Sequence, residues 1–368
     1  MKKRILIFSI AYEPLVGGAE LAVRNITDRL SNFEFDLITC HFDKGYPDQE
    51  KIGNVNVYRV GFGNRIGRIL YPLFAAHLAR KLHRKNPYNL VWSIMAAYAG
   101  AAALLFLRGK PNLNFLLTLQ EGDPIQHIHG RVRGFRKIWQ RIFKRADYIQ
   151  AISRFLADWA RQEGSVCPIE VVPNGVDFKK FQIPSFRLKD GQEFIIVTAS
   201  RLVPKNGVDI LIRAVVKLQT TNYKLQILGV GPEEVKLKAL AKKLGVSQRV
   251  HFLGNILQDE IPQYLSEADI FVRPSRSEGL GTAFLEAMAA GVPIIGTPVG
   301  GIPDFLTEGE TGLFSKTDDP ADLADKITIL AEKPELRRKL SQNGKQLVME
   351  KYSWGLVAEK MDKILRVL

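Results

Sequence analysis

The stretch Arg273–Thr297, RPSRSEGLGTAFLEAMAAGVPIIGT, limits the possible folds more than any other part of the chain. A loop carrying Glu278, Gly279, Gly281 and Thr282 opens directly into a short apolar helix. Gly291 and Pro293 end that helix before a buried strand begins. The first turn of such a helix has amides without intrahelical partners and the positive end of the dipole, so Leu280, Gly281, Thr282 and the residue after them suit a phosphate. Glu278 precedes the turn and Glu286 follows eight residues later. A carboxylate can accept from two neighbouring hydroxyls at once. Two carboxylates flanking a phosphate site therefore fit a ligand with a sugar on each side of a diphosphate, a nucleotide sugar. Taken alone, the pair reads equally well as a loop charge and a solvated helix residue.

The remainder of the chain repeats the same alternation of strand, glycine turn and helix. RILIFSI is an apolar run of the kind buried on both faces of a parallel sheet, followed by a loop with Gly17 and Gly18 and a helix with Glu20 in its first turn. This is not G-x-G-x-x-G, and a plain glycine turn before a helix is the competing reading. FEFDLITCH, VNVYRV, NLVWSI, NFLLTL and YIQAIS read as further strands. Residues 66–85 read as a helix with Ile66, Leu70, Leu73, Phe74, Leu78 and Leu82 as its apolar positions. Ser153 is placed to cap the helix after YIQAIS, and Asn174-Gly175 predicts a turn with left-handed backbone. After a linker over 182–193, EFIIVTASRLVPK begins a second set of strands and helices. It brings Arg201 and Lys205 to a strand's carboxyl end, where a diphosphate could be gripped. Gly229, and the run Gly254, Asn255, Ile256, mark further turns beside the same site.

Composition sets the outer bounds. A chain of 368 residues exceeds what one core usually supports, so two domains are expected. Two cysteines, Cys40 and Cys167, give neither a disulfide framework nor spaced metal ligands, which suits a reducing cytoplasm. The 14-residue apolar run at 94–107 falls short of the roughly 20 residues that span a bilayer. The net charge is +14; residues 1–180 hold 27 basic against 15 acidic side chains, and 51–120 hold ten basic and no acidic one. Such a field favours an anionic partner. The segment RVRGFRKIWQRIFKRAD places Phe135, Ile138, Trp139, Ile142 and Phe143 at helical spacing among seven cations. Its apolar stripe is expected to pack on the sheet, leaving a basic face that, with the 66–85 helix, gives electrostatic attachment to an anionic membrane surface, without insertion.

The spacing Glu278-x7-Glu286, the P-N-G-V-D-x-x-x-F turn at 173–181, the G-G-x-E loop at 17–20 and Arg201 with Lys205 together resemble the retaining family 4 glycosyltransferases. The resemblance spans essentially the whole chain and is strongest from 171 to 313. It implies the GT-B fold: two doubly wound Rossmann-like domains, 1–175 for the acceptor and 190–350 for the nucleotide sugar, facing a deep cleft, with a terminal helix at 352–368 crossing back. It further implies a UDP- or GDP-sugar donor, no metal and a glycan or glycolipid acceptor; the basic first half leans toward a lipid-linked or membrane-proximal one, with a cytoplasmic enzyme peripheral on the inner membrane face. By the resemblance Glu278 addresses the donor sugar, Glu286 the ribose, and Arg201 and Lys205 the departing diphosphate, with Gly17 and Gly18 supplying amides near it. Two departures stand out. Asn206 occupies the usual lysine position, with Lys205 one place earlier, and Gln120 replaces the histidine of the acceptor loop. There Glu121 and Asp123 are candidates to orient or deprotonate an acceptor hydroxyl, with His127 or His129 as substitutes. A nucleotide-sugar epimerase of the same fold and a basic nucleic-acid-binding protein are the rivals; the latter lacks a recognition motif.

Overall fold

A computed structural model describes residues 2–15, 17–181, 193–218 and 222–368. The expected linker therefore lies outside the described residues except for Glu193. The chain divides into two compact units. One comprises Met1–Glu121, Ile125–Gly175 and Trp354–Leu368, the other Gly122–Pro124 and Val176–Ser353.

The first unit is built on an eight-stranded sheet. Its strands are β1 (Lys3–Phe8), β2 (Phe33–Cys40), β3 (Gln49–Ile52), β4 (Val55–Val60), β5 (Leu90–Ile94), β6 (Asn114–Leu119), β7 (Tyr148–Ala151) and β8 (Ile169–Val171), in the order β3-β4-β2-β1-β5-β6-β7-β8. All neighbours are parallel except β3, which pairs antiparallel with β4 at the edge. The helices are α1 (Gly18–Arg29), α2 (Arg65–Lys85), α3 (Tyr98–Leu107), α4 (Ile125–Val132), α5 (Arg136–Arg145) and α6 (Arg154–Gln162). The central strands form as predicted, because continuous apolar runs such as LVWSI can be buried on both faces. Ser153 caps α6 by accepting from Leu156 N at 3.3 Å.

The second unit has a six-stranded parallel sheet: β9 (Phe194–Ala199), β10 (Tyr223–Leu228), β11 (Val250–Gly254), β12 (Ile270–Arg273), β13 (Ile294–Gly296) and β14 (Gly312–Phe314), in the order β11-β10-β9-β12-β13-β14. Its helices are α7 (Val208–Val215), α8 (Glu234–Lys243), α9 (Ile261–Glu267), α10 (Thr282–Ala289), α11 (Pro320–Glu332) and α12 (Pro334–Lys351). The last helix, α13 (Trp354–Val367), belongs to the first unit, where Trp354, Val357, Met361 and Leu365 join Val23 and Ile26 of α1 in the core.

Three expectations fail. Gly175 is absent from the positive-φ positions, and so is Asn174. What this glycine provides is room, since a Cβ on it would lie 2.7 Å from Trp354 Cδ2 and 2.8 Å from Trp354 N. In α2 the buried residues are Gly67, Tyr71, Ala75, Ala76 and Ala79, whereas Ile66 and Leu73 are 61% and 56% exposed. The helix lies close enough for small residues to fill the contact, and part of the larger apolar stripe faces solvent. In α5, Trp139, Ile142 and Phe143 are buried as expected, but Ile138, and Phe135 just before the helix, stay exposed.

Candidate active site

The strand order of the second unit reverses between β9 and β12, and open parallel sheets bind ligands beyond strand carboxyl ends at such a reversal. Both loops with candidate residues leave from these two strands. β9 ends at Ala199 and leads to Arg201; β12 ends at Arg273 and leads to Glu278.

Arg201 is exposed, and its carbonyl accepts from Asn206 Nδ2 at 2.6 Å. The buried Asn206 thus holds the loop in place. Lys205 does the reaching, with Nζ donating to the Gly122 carbonyl at 2.8 Å and to Asp123 Oδ1 at 3.1 Å. The point where a Cβ on Gly122 would sit is 3.2 Å from Lys205 Nζ, 3.4 Å from Gly279 N and 3.7 Å from Glu278 Oε1. Ser277 Oγ donates to the same Gly122 carbonyl at 3.3 Å. The cation and the first glutamate of the motif therefore meet around one glycine.

The loop around Glu278 is fixed from several sides. Glu278 Oε1 accepts from Gly279 N at 3.1 Å, and Oε2 pairs with Arg273. Gly300 presses on the same segment at φ +56°, where a Cβ would fall 1.7 Å from the Glu278 carbonyl oxygen. No L side chain fits there. Arg276 forks onto Asp209 at 2.9 and 2.8 Å and reaches Asp318 at 2.6 Å, while its amide donates to the Lys205 carbonyl at 2.7 Å. These bonds brace the root of Lys205 and raise the Arg276 pKa.

α10 starts at Thr282 after Gly281, which is left-handed at φ +93° and provides no side-chain cap. The first-turn amides beside Glu278 thus lack a capping side chain. Leu280 packs its side chain into the core. Glu286 is only 9% exposed, so it is not the solvated helix residue of the plain reading. Burial pushes its pKa up to about 7, against a hydrogen bond with Gln258 and the charge of Arg273. Gly229 N donates to the Gly254 carbonyl at 2.7 Å, tying the ends of β10 and β11 together. A Cβ on Gly229 would meet the Ser200 carbonyl at 2.0 Å, so the Arg201 loop is seated directly on this turn. Asn255 is exposed and Ile256 half-buried in the loop that follows.

In the first unit the reversal lies between β1 and β5. Gly17 and Gly18 stand at that end, and a Cβ on Gly17 would lie 2.6 Å from Glu20 Oε2. The Glu20 carboxylate turns back onto the amides of Gly17 and its own residue; burial raises its pKa and those bonds oppose the rise. Gln120 Oε1 accepts from Asn174 Nδ2 at 3.0 Å. Glu121 accepts from Ala96 N at 2.7 Å and from Gln120 N at 2.9 Å, so it serves as a brace for its loop. His127 is exposed, whereas His129 Nε2 lies 2.6 Å from the buried Glu163. His129 is thereby committed to tying α4 to the end of α6. Sequence reasoning gave no role to Arg273, Arg276 or Gln258. The signal for Arg273 was a lone charge ending the apolar run IFVR. Among the described residues no group of three or more His, Cys, Asp or Glu is placed to hold a metal ion.

Residues 16–180 match the description Glycosyltransferase Family 4, and residues 179–347 match Glycosyl transferases group 1. A GDP-mannose-dependent alpha-(1-6)-phosphatidylinositol monomannoside mannosyltransferase of Mycobacterium tuberculosis is 31% identical over 99% of this chain and 98% of its own. The chain belongs to the family 4 glycosyltransferases. The backbone of this glycosyltransferase is similar to that of sucrose-phosphate synthase from Thermosynechococcus elongatus, with a TM-score of 0.87 at 22% identity over 99% of this chain and 98% of the other. It is also similar to HepE of Anabaena, solved with UDP and glucose, at a TM-score of 0.80 and 19% identity over 100% of both chains. The fold is GT-B.

Proposed function

We propose that this glycosyltransferase moves a sugar from a UDP- or GDP-sugar to a lipid-linked or membrane-proximal glycan, with retention at the anomeric carbon and without a metal ion. The observation that carries the reading is the meeting of Lys205 and Glu278 around Gly122, beside the uncapped start of α10. In the reaction the bond from C1 to the β-phosphate oxygen breaks and a bond to the acceptor oxygen forms, releasing the nucleoside diphosphate and one proton. Negative charge builds on the diphosphate as it leaves. Lys205, Arg201 and the first amides of α10 are suited to take it up, which is the work a divalent ion does elsewhere. Glu278 then orients the sugar and Glu286 the ribose. The mannosyltransferase relative uses GDP-mannose and a phosphatidylinositol mannoside, and HepE was solved with UDP; these point to the two donor classes to try first.

Thermal shift across UDP- and GDP-sugars identifies the donor, and transfer is then followed with and without EDTA. Activity is expected to persist in EDTA; strict dependence on a divalent ion would reject the metal-free reading. Arg201→Ala and Glu278→Ala are each expected to lose transfer while retaining the circular dichroism of the parent. Near-parental turnover in either would reject its assignment. Incubating the donor alone reports an epimer only if the rival activity is present, and NMR of the product gives the anomer.

No helix among the described residues is long and apolar enough to cross a membrane. The proposed membrane contact is peripheral. Phe62, Ile66, Ile69 and Leu73 at the start of α2, with Phe135 and Ile138 by α5, are exposed apolar side chains on a strongly basic unit. These exposures replace a purely electrostatic contact with one that combines apolar area and charge.

A further inference from the structure

Arg273 has no place in the assignments above, yet it is the most deeply buried cation near them, 7% exposed at the last residue of β12. An unmet guanidinium in such a position would be costly, so its partners show what it is for. Nε donates to Ser275 Oγ at 3.2 Å, Nη1 to the Ala199 carbonyl at 3.4 Å, and Nη2 pairs with Glu278. Its Cζ lies 5.2 Å from the centre of the Phe284 ring, on α10, and its charge reaches Glu286 two residues further along that helix. One side chain thus touches the end of β9, the Glu278 loop and the helix of the second glutamate.

We infer that Arg273 is a positioning residue of the donor site, which fixes Glu278 at the reversal between β9 and β12 and sets a buried cation against α10, the helix of Glu286. The inference rests on the reading of Glu278 and Glu286 as donor contacts. A protonated carboxyl has lost part of its acceptor capacity, so it cannot hold two hydroxyls as a carboxylate does. Burial alone drives Glu286 toward that protonated form. Among the described residues the charge that acts on it is Arg273 from β12, and Gln258, after β11, adds a neutral hydrogen bond. Burial also lowers the Arg273 pKa, to about 10, so the cation remains charged across the neutral range. A lysine would keep the charge but lack the fork that bonds Ser275, Ala199 and Glu278 together.

The test is calorimetric binding of UDP and of GDP to the full chain between pH 6.5 and 8.5, for the parent, Arg273→Gln, Arg273→Lys and Glu286→Gln. For the nucleotide that binds, parental affinity should fall below about pH 7, and Glu286→Gln should bind weakly with that step gone. In Arg273→Gln the step should move up by about one pH unit, making binding roughly threefold weaker at pH 7.5 and restoring it toward pH 8.5. Arg273→Lys should keep the parental step, yet lose about 10- to 100-fold in kcat with little change in donor KM, because Glu278 is no longer held in line. A merely structural arginine would lower the melting temperature without moving the step. An unmoved step in Arg273→Gln, or unchanged kcat in Arg273→Lys, overturns the inference. Failure of the parent to bind either UDP or GDP would instead overturn the nucleotide-sugar reading.

Discussion

Lys205 and Glu286 illustrate two ways in which the fold sets a single charged side chain. Lys205 is held by one carbonyl and one carboxylate, Gly122 and Asp123, so on the proposed reading a diphosphate would meet an ammonium already drawn to the end of the sheet. Lys205→Ala should lower kcat by roughly 10²- to 10³-fold, on the scale of a lost oxyanion donor, with the fold intact by circular dichroism. Glu286 also leaves a trace in stability. Its folded pKa of about 7 lies above the ordinary carboxylate value of 4.5, so between those values the folded chain binds more protons than the unfolded one. Stability from this group is complete below about pH 4.5 and is lost as pH rises through 7, a change on the order of 3 kcal/mol. Melting temperature should therefore fall more steeply from pH 5 to 8 in the parent than in Glu286→Gln; parallel profiles would refute this. The two glutamates and Lys205 could be picked out in the chain because they stand in polar or glycine-rich loops and at motif spacing. Arg273 and Arg276 could not, since each is defined by partners far away in sequence: Ala199 for the one, Asp209 and Asp318 for the other.

Among the elements, the central strands of both sheets were legible because parallel strands covered on both sides must be uninterrupted apolar runs. The short edge strands were not: β8 and β14 have three residues each, and β3, QEKI, alternates exposed and half-exposed residues, mostly polar, held to β4 by backbone pairing and by Glu50 against Arg59. Helix α2 was legible in extent and misleading in its facing. Periodicity reports that an apolar stripe exists, while Gly67, Ala75, Ala76 and Ala79 decide how near the helix comes and hence which side is covered. The closing loop after β13 is a plainer case. Gly300→Ala sets a Cβ against the Glu278 carbonyl at positive φ and should cost on the order of 1–3 kcal/mol while moving Glu278. A variant with unchanged melting temperature and unchanged activity would show that the loop yields more readily than its geometry implies.

At the scale of the whole chain, charge is divided unequally, +12 over residues 1–180 and +2 over the rest. Flotation with anionic vesicles should recover the protein, neutral vesicles should recover much less, and salt should weaken the binding. Ile69→Glu with Leu73→Glu should abolish recovery without altering donor binding; unchanged recovery would remove α2 from the contact. The placement of α13 has a consequence for biosynthesis. Trp354, Met361 and Leu365 complete a core that includes Val23, Ile26 and Phe35, translated more than three hundred residues earlier. The amino-terminal unit therefore keeps part of its apolar surface unsealed while the ribosome makes the whole of its neighbour, an interval in which such surface is open to aggregation.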